Sequence, residues 1–119
     1  MTDDEFVRAF ESCELSPDRF HHRDHIRLAR IYVEIDGAAK ATERFRTYLH
    51  KFATHIGKSD KYHETITVAW IKLVAYTPAN DLEQLMDKKY IEQFYSPELL
   101  ATDLARTQFV EPDRAGLPG

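Results

Sequence analysis

The chain has a single cysteine, Cys13, among 119 residues, so it can form neither an internal disulfide nor a thiolate metal cluster. Cys13 is expected to be a small core residue. Glycine and proline are also scarce, at 4 and 5 residues, and most of them fall where a helix should start or stop. No apolar run approaches the ~20 residues of a membrane span. A basic excess is missing too: 16 Lys and Arg stand against 20 Asp and Glu, for a formal charge of −4. No run of Lys and Arg supplies the cationic groove that nucleic acid requires. Neither nucleic acid nor membrane is therefore expected as a partner. The acidic start, Met1-Thr2-Asp3-Asp4-Glu5, lacks the positive stretch of a signal peptide, and a cytoplasmic location is expected. Strand patterns are nearly absent. The one β-rich stretch, Thr65-Ile66-Thr67-Val68, runs on at a helical period through Leu73 and reads as helix.

What is present is helical punctuation. Thr2 and Glu5 form a capping-box pattern ahead of a short helix that carries Phe6, Val7 and Phe10 and ends near Cys13. Ser16-Pro17-Asp18 is a second start signal. A long helix is expected over 20–36, possible to break near its start, with Gly37 to end it. The clearest amphipathic pattern spans 38–56, where Ala41, Phe45, Tyr48, Leu49, Phe52 and Ile56 recur at three- and four-residue steps. After the polar loop 57–61, a helix over 62–76 is apolar on most of its girth, the mark of a central helix. Pro78 stops it. Asn80 or Asp81 can cap a helix through Met86, and Ser96-Pro97 opens another through Arg106. The tail from Val110 to Gly119 should run irregularly on the surface. The expected fold is all-α: one domain over 1–119, a compact bundle of four to six helices. Phe45, Leu49, Phe52, Trp70, Leu73 and Val74 should share its core.

Two stretches gather chemistry. In Phe20-His21-His22-Arg23-Asp24-His25, the spacing puts His22 and His25 on one helix face, which continues inward through Ala29, Tyr32 and Val33. Asp24 points away from His25 and is placed to cap the helix or orient a histidine. In Tyr62-His63-Glu64-Thr65, His63 begins an inward stripe through Thr67 and Trp70, and Glu64 sits in the first turn, where the helix dipole favours a carboxylate. Imidazole and carboxylate are the usual ligands for zinc, iron, nickel or manganese in a site without sulfur. His22, His25, His63 and Glu64 are therefore candidate metal ligands, leaving a position open for water or substrate. Glu64 and Tyr62 are the candidate catalytic groups, with Thr67 beside them as a supporting or substrate contact. The same residues can also act without metal, because histidine titrates near neutral pH. Histidines spaced in this way also occur simply as core or capping residues. His50 reads as solvent-facing, His55 as a helix-end residue, and Arg106 and Asp113 as ties between tail and body.

These phrases, together with Tyr95-Ser96-Pro97-Glu98-Leu99-Leu100 and Phe109-Val110-Glu111-Pro112-Asp113, resemble a family of small bacterial proteins of unassigned function. Its pattern is Phe-any-His-any-acidic-His followed by Tyr-His-Glu-Thr. The matching positions are Phe20, His22, Asp24 and His25, then Tyr62, His63, Glu64 and Thr65, and the likeness extends over about positions 16–118. Arg30 stands where that pattern has an aromatic residue. The resemblance implies a shared domain and pocket but no reaction. Two functions follow as expectations: a small metal-dependent enzyme acting on a small substrate, or a non-catalytic module binding a small ligand or a partner.

Overall fold

Helix signals in the sequence become helices at nearly every site, and the breaks between them build the architecture. The structure, a computed structural model, describes residues 1–118; the last residue of the expected tail lies outside the described residues. The described residues form five α-helices: α1 (Asp3–Glu11), α2 (His22–His55), α3 (Glu64–Tyr76), α4 (Pro97–Leu100) and α5 (Asp103–Thr107). Four 3-10 segments connect them, and the described residues contain no strand. This is the expected all-α bundle.

The capping box at Thr2 forms as read: Thr2 Oγ1 accepts from the Glu5 N–H and Glu5 Oε1 accepts from the Thr2 N–H, both at 3.2 Å. α2 begins at His22 rather than Phe20, because the Asp24 carboxylate reaches back to the His21 N–H at 2.9 Å and fixes the start there. Gly37 has φ +79° and ψ 165°, a backbone state reserved almost entirely for glycine, and it divides α2 into arms 22–36 and 38–55. The arms fold against each other. Tyr32 meets Phe45 edge-on at 6.4 Å between ring centroids, and the Arg44 guanidinium lies 4.4 Å over the Tyr32 ring. Arg44 also joins Asp36 across the break at 3.3 Å and Glu11 of α1 at 2.8 Å. Glu11 accepts the Tyr32 hydroxyl at 2.5 Å as well, so one carboxylate binds α1 to both arms.

α3 is the central helix. Val68, Ala69, Trp70, Ile71, Leu73 and Val74 are all buried, as its apolar girth requires. The expected core residues Phe45, Leu49 and Phe52 pack in the same cluster. α3 starts two residues later than the spacing suggested, at Glu64, because His63 takes the cap position. The segment Ala79–Met86 winds as 3-10 helix, with Leu82 and Leu85 buried. The expected helix over 96–106 is two short ones, because Thr102 Oγ1 accepts from the Ala105 N–H and starts α5 anew. The tail is irregular but tied down: Asp113 accepts from the Ser96 N–H and hydroxyl, and the Tyr95 hydroxyl donates to the Val110 carbonyl at 2.7 Å. Arg106 reaches the Asp60 carbonyl at 2.6 Å rather than the tail. Cys13 packs partly buried against the core, in a left-handed conformation with φ +64°.

Candidate functional site

A cavity of about 740 Å³ opens between the two arms of α2 and the start of α3. Its volume lies within the ~300–1,000 Å³ usual for small-ligand sites. Phe45, Leu49, Phe52, Ile66, Trp70 and Ile91 form much of its apolar floor. Phe20 lines the cavity too, tilted against His25 with ring centroids 4.1 Å apart and stacked on Phe10 at 4.6 Å. His22, His25 and His63 all line this cavity, together with Tyr62 and Thr67. The long helix and the central helix thus bring the three histidines to one place. Glu64 is not in the lining; it lies at a second, smaller cavity with Arg46, His50 and Arg106.

Each histidine is held by a backbone carbonyl, and the bond fixes which nitrogen carries the proton. His22 Nε2–H donates to the Leu85 carbonyl at 2.7 Å, leaving the lone pair on Nδ1. Its ring meets Trp70 edge-on at 4.6 Å. His25 Nδ1–H donates to the His21 carbonyl at 3.0 Å, leaving the lone pair on Nε2. His25 Nε2 has no hydrogen-bond partner; since no fully buried side-chain nitrogen or oxygen among the described residues lacks one, this atom keeps some exposure, on a side chain that lines the cavity. His63 is different. Its Nδ1 accepts from the Ile66 N–H at 3.1 Å, capping α3, while Nε2–H donates to the Leu100 carbonyl at 2.8 Å. Both of its nitrogens are engaged.

Burial pushes the His25 pKa down to about 4, against a weaker upward pull from its bond to the His21 carbonyl. Burial lowers His22 as well. Both rings are therefore neutral at pH 7. Tyr62 donates its hydroxyl to Glu64 Oε1 at 2.7 Å, and burial together with that carboxylate raises its pKa. Glu64 is in turn gripped by Arg46 through Nε at 2.7 Å and Nη2 at 2.6 Å. Glu64 and Tyr62, the candidate catalytic pair, thus form one ion-paired unit with Arg46. Among the described residues, no group of three or more His, Cys, Asp or Glu side chains is arranged to hold a metal ion. For the four candidate ligands to meet on one ion, His63 would have to leave Leu100 or Ile66, and Glu64 would have to leave Arg46.

One feature of the site was not foreseen from the sequence. Arg23, Lys58, Lys61 and Lys88 all border the cavity, and no carboxylate lines it. These cations come from three separate stretches of the chain, with Lys58 and Lys61 sharing one turn, so no single run of charge announces them. His50 and His55 are exposed, as the spacing suggested. No described helix is long and apolar enough to cross a membrane. Comparison with protein-family models, curated proteins and solved structures finds no match.

Proposed function

We propose that this chain is a binding module for a small molecule held in the cavity between the arms of α2 and the start of α3. The observation that carries the reading is the neutral His25 ring, its Nε2 unpartnered, in the lining of a largely apolar cavity of ligand size. In this reading the histidines shape and orient rather than react. His63 holds α3 in place, His22 braces Trp70, and His25 offers one hydrogen-bond acceptor to a ligand donor. No carboxylate in the lining stands beside His25 to complete an acid–base pair.

Trp70 is the chain's one tryptophan and lines the cavity, so it reports directly on occupancy. The neutral dye N-phenyl-1-naphthylamine should quench Trp70 emission by energy transfer while its own emission rises. Ala53, also in the lining, offers a blocking site: Ala53→Trp should fill the cavity and abolish dye binding. Equal dye binding by wild type and Ala53→Trp would refute the reading.

A second reading, the metal-dependent enzyme, draws support from the free lone pairs of His22 Nδ1 and His25 Nε2 on the same cavity. It requires His63 and Glu64 to exchange their present partners for the ion. Zinc, nickel, iron(II) or manganese should then raise the melting temperature as the logarithm of free metal. His25→Ala should abolish the shift, and His50→Ala should leave it intact. Absence of a shift with every one of these metals would remove this reading.

A further inference from the structure

The four cations at the cavity mouth have nothing to hold. Among the described residues, Arg23, Lys58, Lys61 and Lys88 make no ion pair and no side-chain hydrogen bond. The other clustered arginines behave differently: Arg27 and Arg30 share Asp3, Arg44 takes Glu11 and Asp36, and Arg46 takes Glu43 and Glu64. In a chain where acids outnumber bases by 20 to 16, gathering four unpaired cations and no carboxylate at one opening runs against the average composition. Two neighbouring acids are spent on the backbone, and Asp60, between Lys58 and Lys61 in sequence, is not in the cavity lining. Asp24 binds the His21 N–H at 2.9 Å and Asp87 binds the Lys89 N–H at 2.9 Å. Below the mouth the surface turns apolar and aromatic, ending at Phe52 and Trp70.

We infer that the ligand is an amphipathic anion, with an apolar or aromatic body on the Phe52–Trp70 floor and an anionic head between Arg23, Lys58, Lys61 and Lys88. This rests on the small-molecule reading above and adds the ligand's chemical class. Cations around a low-dielectric cleft concentrate an anion before it docks, and the contact weakens as salt screens it. A cationic ligand of the same shape meets four like charges and is rejected. An extended polyanion is a poorer match, because the charge is confined to the rim of a cavity whose floor is apolar.

A matched pair of dyes tests this. 8-Anilino-1-naphthalenesulfonate and N-phenyl-1-naphthylamine share one aromatic body and differ by the sulfonate. Titrated into the full chain, with Trp70 quenching as the positional readout, the sulfonate should bind at least about tenfold more tightly at low salt. That preference should shrink at high salt. Replacing Arg23, Lys58, Lys61 and Lys88 with Gln together should bring the two dyes to equal affinity. The four side chains are exposed and unpaired, so the fold should survive; Lys88→Gln alone, with a partial loss, guards against an unstable quadruple variant. Equal affinities in the wild type would overturn the anionic head and leave the small-molecule reading standing. Failure of both dyes to bind would overturn both.

Discussion

His63 grips Leu100. Its Nε2–H donates to the Leu100 carbonyl at 2.8 Å while its Nδ1 receives the Ile66 N–H, so one imidazole both starts the central helix and fastens the end of α4 to it. The ring is part of the frame of the cavity it lines. His63→Ala should therefore cost stability without any ligand or metal present. A lost cap is worth about 1 kcal/mol, and a half-buried carbonyl left without its donor adds about 1–3 kcal/mol. Urea denaturation should show a lower midpoint at unchanged slope. His63→Asn, which keeps a capping oxygen, should recover the first part and not the second. If His63→Ala proved neutral, the ring would not be the tie described.

His25 gives the fold a dependence on pH. Its folded pKa of about 4 lies below the ordinary histidine value of 6.5, so the unfolded chain binds the proton more readily. Stability from this group is thus complete above pH 6.5 and is lost as pH falls toward 4. The groups that set this shift are the surrounding burial, the His21 carbonyl, His22, Asp24 and Lys88. The loss should amount to about 3 kcal/mol between those two values. His25→Gln should flatten that slope. Asp3, Glu5 and Asp113, whose pKa values are lowered by Arg27, Thr2 and Ser96, add stability above the ordinary carboxylate range and lose it at lower pH. Denaturation free energies measured from pH 7 down to 4 separate the two sets. An unchanged slope in His25→Gln would show that the ring is not held neutral by burial.

Gly37 sets the angle between the arms of α2. A methyl group at this position would touch nothing within 4 Å, so the effect of Gly37→Ala is confined to the backbone. With φ +79° and ψ 165°, the alanine should cost about 1–3 kcal/mol. A straightened helix through 22–55 would separate Tyr32 from Phe45 and open the cavity wall. The check is the melting midpoint together with dye binding: both should fall. A Gly37→Ala variant as stable as wild type would mean that the break is held by Arg44 and its two carboxylates alone.

Arg46 neutralises Glu64, whose side chain is only 12% exposed against 38% for Arg46. Arg46→Met should leave a nearly buried carboxylate with only the Tyr62 hydroxyl, at a cost of about 1–3 kcal/mol. Glu64→Gln in the same background should return part of it. A double-mutant cycle on these two positions should give a coupling above about 0.5 kcal/mol. A coupling near zero would free Glu64 for other chemistry.

The fold was legible because its signals are local. The capping box at Thr2, Pro17 and Pro97 at first turns, and the three- and four-residue apolar steps of 38–56 each act within one or two turns. The inward face of His22 and His25, and its meeting with His63, followed from the same periodicity. What spacing could not carry was the partner of each group. Leu85 O, Leu100 O and Arg46 lie 63, 37 and 18 residues from the side chains they bind, and they decide that His63 is engaged and Glu64 faces elsewhere. The cationic mouth was hidden for the same reason. The breaks at Thr102 and in Ala79–Met86 depend on which end of a short helix wins its cap, which apolar periodicity does not rank.

The cavity divides its labour along the chain. Its floor belongs mostly to α2 and α3, joined by Ile91, and these side chains also make the core, whereas Lys58, Lys61 and Lys88 sit exposed in or beside the short 3-10 segments Ser59–Lys61 and Lys88–Gln93. Those exposed positions can change sign or length without repacking Phe52 or Trp70. On the proposed reading, ligand choice and fold stability should therefore be separable in this scaffold. On the proposed reading, the same bundle given acidic residues at positions 23, 58, 61 and 88 should select amphipathic cations instead.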